Sequence, residues 1–187
     1  MSFEPRPPLP GRGTRRARLA EILRVDHAGE LGAVSIYRGQ RAVFAAARGG
    51  RAMEETLGEM EGHEAVHLAA FDKLLTEHRV RPTVFTPLWR VAGFALGAGT
   101  ALLGEKAAHA CTEAVETVIE QHYAGQIEEL KTREPELAAE LSRFRDEELA
   151  HKDQAEAAGA KEAPGYGLLS AVIQAGCKAA IKISEKL

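Results

Sequence analysis

The sequence predicts an all-α protein, a four-helix bundle with one helix added between the second and third bundle helices and another at the C-terminus. Three observations carry this. The 187-residue chain is rich in Ala, Glu, Leu and Arg, and it has little of the strict apolar–polar alternation that marks strands. Apolar residues recur on helical stripes between Gly and Pro breakers. A Glu…Glu-x-x-His pattern also occurs twice: Glu30 precedes Glu64-x-x-His67 by 34 positions, and Glu116 precedes Glu148-x-x-His151 by 32. Those spacings are one helix down, a turn and one helix back, which brings distant positions level in an antiparallel pair.

The first 18 residues are rich in Pro and Arg, with Glu4 the only acid. They read as a disordered arm (residues 1–18), because the prolines oppose an amphipathic presequence and no apolar run marks a secretory signal. Residues 19–187 then form a single domain. A first helix is expected from about Thr14 to Arg48, overlapping the end of the arm and stopped by Gly49-Gly50. A second runs from about Ala52 to Arg79 and ends before Pro82, since the residue preceding proline avoids the α region. A third spans about Glu105 to Thr132. A fourth opens at Pro135, a favourable first-turn residue, and ends near Gly159. The last begins after Pro164-Gly165 and runs to the C-terminus.

Between the second and third bundle helices lies Val84 to Gly104, whose only charge is Arg90. Its uninterrupted apolar part, Val91 to Leu103, is 13 residues, short of the roughly 20 needed to span a bilayer. A buried core helix is one reading. The other is a helix lying in a membrane interface or lining a route for a greasy ligand, which Pro87, Trp89 and Arg90 favour, since Trp and Arg settle at headgroup level. The final helix interleaves Leu168, Leu169, Val172, Ile173, Ala180, Ile181 and Ile183 with Lys178, Lys182 and Lys186. It is amphipathic, fit either to pack on the bundle or to meet a membrane.

A net charge of −3 and a pI near 6.2 give no argument for a nucleic-acid partner. Cys111 and Cys177 form no Cys-x-x-Cys unit. That excludes zinc-ribbon and thioredoxin chemistry and suits free thiols in a reducing compartment.

Two Glu-x-x-His units are weak evidence alone in a chain with this much Glu. The stripes around them strengthen the case. Glu64 shares a helical face with Leu57, Met60, Leu68, Phe71 and Leu75, and Glu148 with Leu141 and Phe144. Glu30 aligns with Leu23, Val34 and Tyr37, and Glu116 with Ile119, Tyr123 and Ile127. Buried carboxylates need compensating charge. Two divalent ions balance four carboxylates, with neutral imidazoles completing the shell. Mixed carboxylate and imidazole suits iron or manganese in a bundle, one Glu from each of two helices and Glu-x-x-His from the other two. Gly29, Gly32 and Gly62 sit inside helices beside these residues, where each costs on the order of 1 kcal/mol relative to Ala. Close helix packing and ligand admission both account for them.

With these residues assembled, the run RVDHAGELGAVSIYRGQ (Arg24 to Gln40) resembles the first-ligand signature of the demethoxyubiquinone hydroxylases, ferritin-like di-iron monooxygenases of ubiquinone biosynthesis. Val80 to Gly104, Ala110 to Tyr123, Phe144 to Asp153 and Ser170 to Leu187 resemble that family too, so the likeness covers Arg24 to Leu187. Arg51 to Gly62 matches more loosely. The resemblance implies a ferritin-like bundle holding two Fe on Glu30, Glu64, His67, Glu116, Glu148 and His151. It implies O₂-dependent 5-hydroxylation of 3-demethoxyubiquinol (2-polyprenyl-3-methyl-6-methoxy-1,4-benzoquinol), a late step of ubiquinone biosynthesis. Val84 to Gly104 resembles the family's membrane-contacting element, which implies a peripheral protein at the cytoplasmic face of a bacterial inner membrane or the matrix face of a mitochondrial one.

Asp26, Asp146 and Glu147 are candidates to hold the outer nitrogens of the histidines, or else are solvated helix charges. His122 and Tyr123, two turns after Glu116, are candidates for a proton or electron relay. His27 matches the family's signature but is not expected to be a ligand, and His63, His78 and His109 are read as ordinary. The reductant is open, as are accessory proteins of the pathway and a homo-oligomer as partners. Two rivals stand beside the hydroxylase: a ferritin-like protein that oxidises iron or scavenges peroxide, and a non-catalytic quinone-binding regulator. The first has no need of Val84 to Gly104, and the second none of buried carboxylates. If the added helix meets the membrane and lines the substrate route, Leu96 and Leu102 lie at the membrane and Gly97 in the channel wall.

Overall fold

A computed structural model describes residues 15–186. Those residues form six α-helices: α1 (Arg15–Ala46), α2 (Arg51–His78), α3 (Thr86–Leu102), α4 (Glu105–Leu130), α5 (Pro135–Ala157) and α6 (Tyr166–Ser184), with a short 3-10 turn at Ala160–Glu162 before α6. The helix limits fall within about two residues of the sequence expectation, because the breakers act as expected; α6 alone stops further off, at Ser184 rather than running to the C-terminus. Arg79, left-handed at φ 54°, closes α2 ahead of Pro82. Pro135 opens α5. Gly104, at φ 106°, turns the chain from α3 into α4 in a conformation that disfavours any side chain.

Part of the stretch read from composition as an arm is helical. Arg15 to Arg18 belong to the first turns of α1, tied down by Arg15 to Glu134 and by Arg18 to Glu129. Residues 1–14 of the arm lie outside the described residues.

Helices α1 and α2 form one antiparallel hairpin and α4 and α5 another, and together they make the bundle. Two apolar clusters fill it, one at each end. Ile22, Leu23, Phe71, Leu75, Tyr123, Leu141 and Phe144 pack at one end. Tyr37, Phe44, Met53, Leu57, Met60, Ala101 and Ala108 pack at the other. The Glu and His positions of α1 and α2 fall between these clusters along the helices.

Helix α3 lies along α1 and α6 along α4, outside the four-helix core. The α1–α3 seam is made of small residues. A Cβ on Gly97 would collide with the Ile36 carbonyl, one on Gly93 with that of Gly32, and one on Gly39 with that of Phe94. Glycines here let two backbones touch. Gly97 is therefore buried against α1 rather than in a channel wall. Leu96 is also turned inward, against the cluster of Ile36, Cys111, Ala114, Val115 and Ile173. The expectation that placed Leu96 at the membrane and Gly97 in the channel fails, because close packing claimed that side of α3. The glycines beside Glu30 and Glu64 make no such seam of their own: a Cβ added at Gly29, Gly32 or Gly62 would meet nothing within 4 Å.

The opposite side of α3 and its flanks is solvent-facing and apolar: Val84, Leu88, Val91, Phe94, Leu102 and Leu103. On α6, Ile173 is buried while Leu168, Val172 and Ile183 are exposed. Trp89 Nε1 donates to Ser184 Oγ at 3.1 Å, joining the start of α3 to the end of α6. Both helices thus have one side packed on the bundle and the other apolar and open. Among the described residues no helix is long and apolar enough to cross a membrane.

Candidate metal centre

Each bundle helix delivers its polar residues to the same level because they occupy the stripe that also carries the core. Glu64 and His67 project from one face of α2, as positions i and i+3 do, and Glu148 and His151 likewise from α5. Glu30 comes from α1 and Glu116 from α4. All six are buried; Glu64, His67 and Glu148 have no exposed surface at all.

Their ligand atoms form two overlapping groups, Glu30–Glu64–His67–Glu148 and Glu64–Glu116–Glu148–His151, and within each group the atoms lie within 4.8 Å of one another. Glu64 and Glu148 belong to both groups, so each can bridge two ions. Glu30 with His67 and Glu116 with His151 form the two ends. His67 Nδ1 stands 3.4 Å from Glu30 Oε2 and 3.2 Å from Glu148 Oε1, and His151 Nδ1 stands 3.1 Å from Glu64 Oε1.

The buried atoms without a hydrogen-bond partner make the test of fit. They include Glu30 Oε2, both oxygens of Glu64, Glu116 Oε2, both oxygens of Glu148, and Nδ1 of His67 and of His151. Buried polar atoms are almost always satisfied. Eight orphans gathered in these two overlapping groups, all oxygen or imidazole nitrogen, fit hard-to-borderline divalent cations.

Without such cations the cluster balances its charge with protons. Burial, reinforced by neighbouring Glu148, holds Glu64 and Glu116 well above the usual carboxylate range. Burial also acts to raise Glu148, but the close approach of the His151 and His67 rings overcomes it and holds that carboxyl at about 2. For His67, burial pulls the imidazole down while Glu148 and Glu30 more than reverse this, carrying it to about 10.

Around the six lies a ring of supporting contacts that shows the same duplication. Tyr37 of α1 donates to Glu116 Oε1 at 2.8 Å, and Tyr123 of α4 donates to Glu30 Oε1. Each tyrosine follows its own helix's glutamate by seven positions and crosses to the other's. The outer nitrogens are held too: His67 Nε2 by Glu147 Oε2 at 2.8 Å, and His151 Nε2 by His63 Nδ1 at 3.0 Å. Phe144 packs on the His67 ring, centroids 4.1 Å apart, and Tyr37 meets His151 edge-on.

The sequence reading fares unevenly here. The structure brings all six candidate ligands together. Of the outer candidates, Glu147 reaches a histidine, Asp146 is exposed, and Asp26 instead accepts from Gln126 at 2.8 Å. Tyr123 touches Glu30, whereas the described contacts of His122 are to Gln126 and Asp26. His63 was read as ordinary and Tyr37 only as core. The missed signal is the repeat itself: His63 and Glu147 each precede the Glu of a Glu-x-x-His unit, and Tyr37 and Tyr123 each follow a lone Glu by two turns.

A family model described as "Ubiquinone biosynthesis protein COQ7" matches residues 17–184. The chain is 52% identical over 181 residues to a 3-demethoxyubiquinol 3-hydroxylase of Rhodospirillum rubrum, covering 96% of this chain and 83% of that protein. It is 51% identical over 175 residues to a mitochondrial NADPH-dependent 3-demethoxyubiquinone 3-hydroxylase of Mus musculus, covering 91% and 79% respectively. With the mitochondrial 5-demethoxyubiquinone hydroxylase of Saccharomyces cerevisiae it shares 39% over 184 residues, covering 90% of this chain and 78% of the relative. A match over nearly all the described helices, with relatives this similar along most of their own length, fixes the affiliation: the chain belongs to the ubiquinone biosynthesis protein COQ7 family.

Proposed function

We propose that this protein hydroxylates a demethoxyubiquinol with O₂, using two iron ions held by Glu30, Glu64, His67, Glu116, Glu148 and His151. The observation that carries the reading is the gathering of eight orphaned ligand atoms in two overlapping buried groups, in a chain whose relatives are hydroxylases by name. Bound ferrous iron would supply activation of dioxygen and transfer of one oxygen atom to the quinol ring. The side chains supply the rest.

Glu30 with His67 and Glu116 with His151 would each hold one ion, and Glu64 and Glu148, common to both ligand groups, would contribute to both. Four carboxylates balance two divalent charges, so the loaded core is close to neutral and stable without solvent. Tyr37 and Tyr123 keep an O–H on Glu116 and Glu30, fixing which oxygen of each faces the ions. The apolar clusters at either end exclude water from the reacting ring.

The open apolar faces of α3 and α6 support a seat on the membrane surface, where a polyprenyl quinol stays. A tail leaving the bilayer loses about 0.8 kcal/mol per CH₂, so we read substrate entry as coming from the membrane side, between these helices. This feature has no use in an iron-storage relative. The reading places the protein on the cytoplasmic face of a bacterial inner membrane, with the mitochondrial matrix face as the alternative its eukaryotic relatives raise. The names of several relatives suggest a nicotinamide as the source of electrons. The test is O₂-dependent turnover of a short-chain demethoxyquinol by iron-loaded protein, with the product identified by mass. Rapid oxidation of added ferrous iron without ring hydroxylation would favour iron handling instead.

A further inference from the structure

We propose that His63 and Glu147 are a mirrored pair of positioning residues that make the two metal half-sites inequivalent. Glu147 makes His67 the stronger donor, and His63 leaves His151 the weaker. The proposal rests on the ligand assignment given under Proposed function.

The geometry is reciprocal. Each residue sits one position before the glutamate of a Glu-x-x-His unit and reaches across α2 and α5 to the histidine of the opposite unit. Both histidines turn Nδ1 to the carboxylate cluster. An imidazole that gives Nδ1 to a metal keeps its proton on Nε2 and donates it outward. His67 then donates to Glu147 Oε2 at 2.8 Å. His151 donates to His63 Nδ1 at 3.0 Å, with the two rings parallel to within 2° and centroids 5.3 Å apart. This sets the tautomer of His63: its own proton lies on Nε2.

The two acceptors are not alike. A carboxylate draws on an N–H more strongly than a neutral imidazole does, and hydrogen bonds to a charged acceptor are about twice as strong. More electron density is thereby pushed onto Nδ1 of His67 than onto Nδ1 of His151. The carboxylate contacts are matched in kind between the half-sites: each shares Glu64 and Glu148, and each has one terminal glutamate braced by a tyrosine; the aromatic neighbours differ, Phe144 lying on His67 and Tyr37 edge-on to His151, but they accept no proton from Nε2. The outer acceptor is the difference. The Glu116–His151 half-site is accordingly the one that releases its metal first.

The test uses the full chain loaded anaerobically with ⁵⁷Fe(II). Wild type should show two quadrupole doublets of equal area and give up iron to a chelator in two phases. His63→Glu equalises the acceptors; it should draw the doublets together and slow the fast phase. His63→Gln retains a neutral acceptor and should leave two doublets. Glu147→Gln should move the other doublet and speed the slow phase by about 10- to 100-fold. His63 is exposed and Glu147 45% exposed, so these changes leave the packed core alone. A single wild-type doublet from two bound irons, or a His63→Glu protein identical to wild type, overturns this proposal and leaves the ligand assignment standing. A wild-type chain that holds no pair of irons overturns the ligand assignment itself.

Discussion

Replacing Tyr37 with Phe removes one hydroxyl and almost no volume, so its effect isolates a single bond. That bond runs 2.8 Å to Glu116 Oε1 between two residues each about 1% exposed. In the loaded protein Glu116 is ionised, and a hydrogen bond to a charged group contributes about 1.5–3 kcal/mol. In the metal-free protein burial and nearby Glu148 raise Glu116 well above the usual carboxylate range, favouring its neutral form, and a bond to a neutral carboxyl contributes only about 1 kcal/mol. Metal binding therefore loses the difference, about 0.5–2 kcal/mol, or roughly 2- to 30-fold in affinity. The metal-free protein loses the smaller term and should melt about 2–4 °C lower. Anaerobic ferrous titration against a competing chelator reads the first quantity and thermal unfolding the second. Tyr123→Phe, which unlocks Glu30, should behave in the same way at the other end. If Tyr37→Phe changes neither affinity nor melting temperature, the tyrosines do not brace the carboxylates and the ring of supporting contacts has been misread.

Three further outcomes follow from the same structure. Gly97→Val should destabilise the fold by about 1–3 kcal/mol, seen as a lower melting temperature, because its side chain meets the Ile36 carbonyl; an unchanged melt would mean that α3 does not press on α1 as described. Val91→Glu with Leu102→Glu, at positions 68% and 75% exposed, should reduce flotation with liposomes while leaving iron content intact; undiminished flotation would remove the α3 face as the membrane contact. Iron affinity should rise with pH from about 6 to about 8 and loading should release protons, because His67 is held protonated to about 10, against burial, by Glu148 and Glu30, and Glu64 and Glu116 are held up by burial. A flat profile in a weakly buffered titration would contradict this.

Helix order and limits were legible because they depend on local chemistry: Gly49-Gly50, Pro82, Pro135 and Pro164-Gly165 stop or start helices wherever they occur. The convergence of the six polar residues was legible because burial forced them onto the core stripe. What escaped was the environment of each helix's remaining faces. Nothing in Val84 to Gly104 separates Leu96, which faces the bundle, from Val91, which does not, until α1 is known to lie against Gly93 and Gly97. His63 and Asp146 both lie within two positions of a candidate ligand in sequence, yet only His63 meets a histidine across the helix interface. Such pairings are set by the rotation of one helix against another, which a periodic pattern leaves free by tens of degrees.

The most direct test of the central claim is iron per chain after anaerobic reconstitution and removal of excess metal, in wild type and in Glu148→Ala. Glu148 stands in both ligand groups and has no exposed surface. Its loss should remove a shared bridge and leave the remaining charge unbalanced. The account predicts about two irons in wild type, as a two-metal carboxylate site requires, and less than half that in the variant. Full iron in Glu148→Ala would show that the metals, if bound, are bound elsewhere.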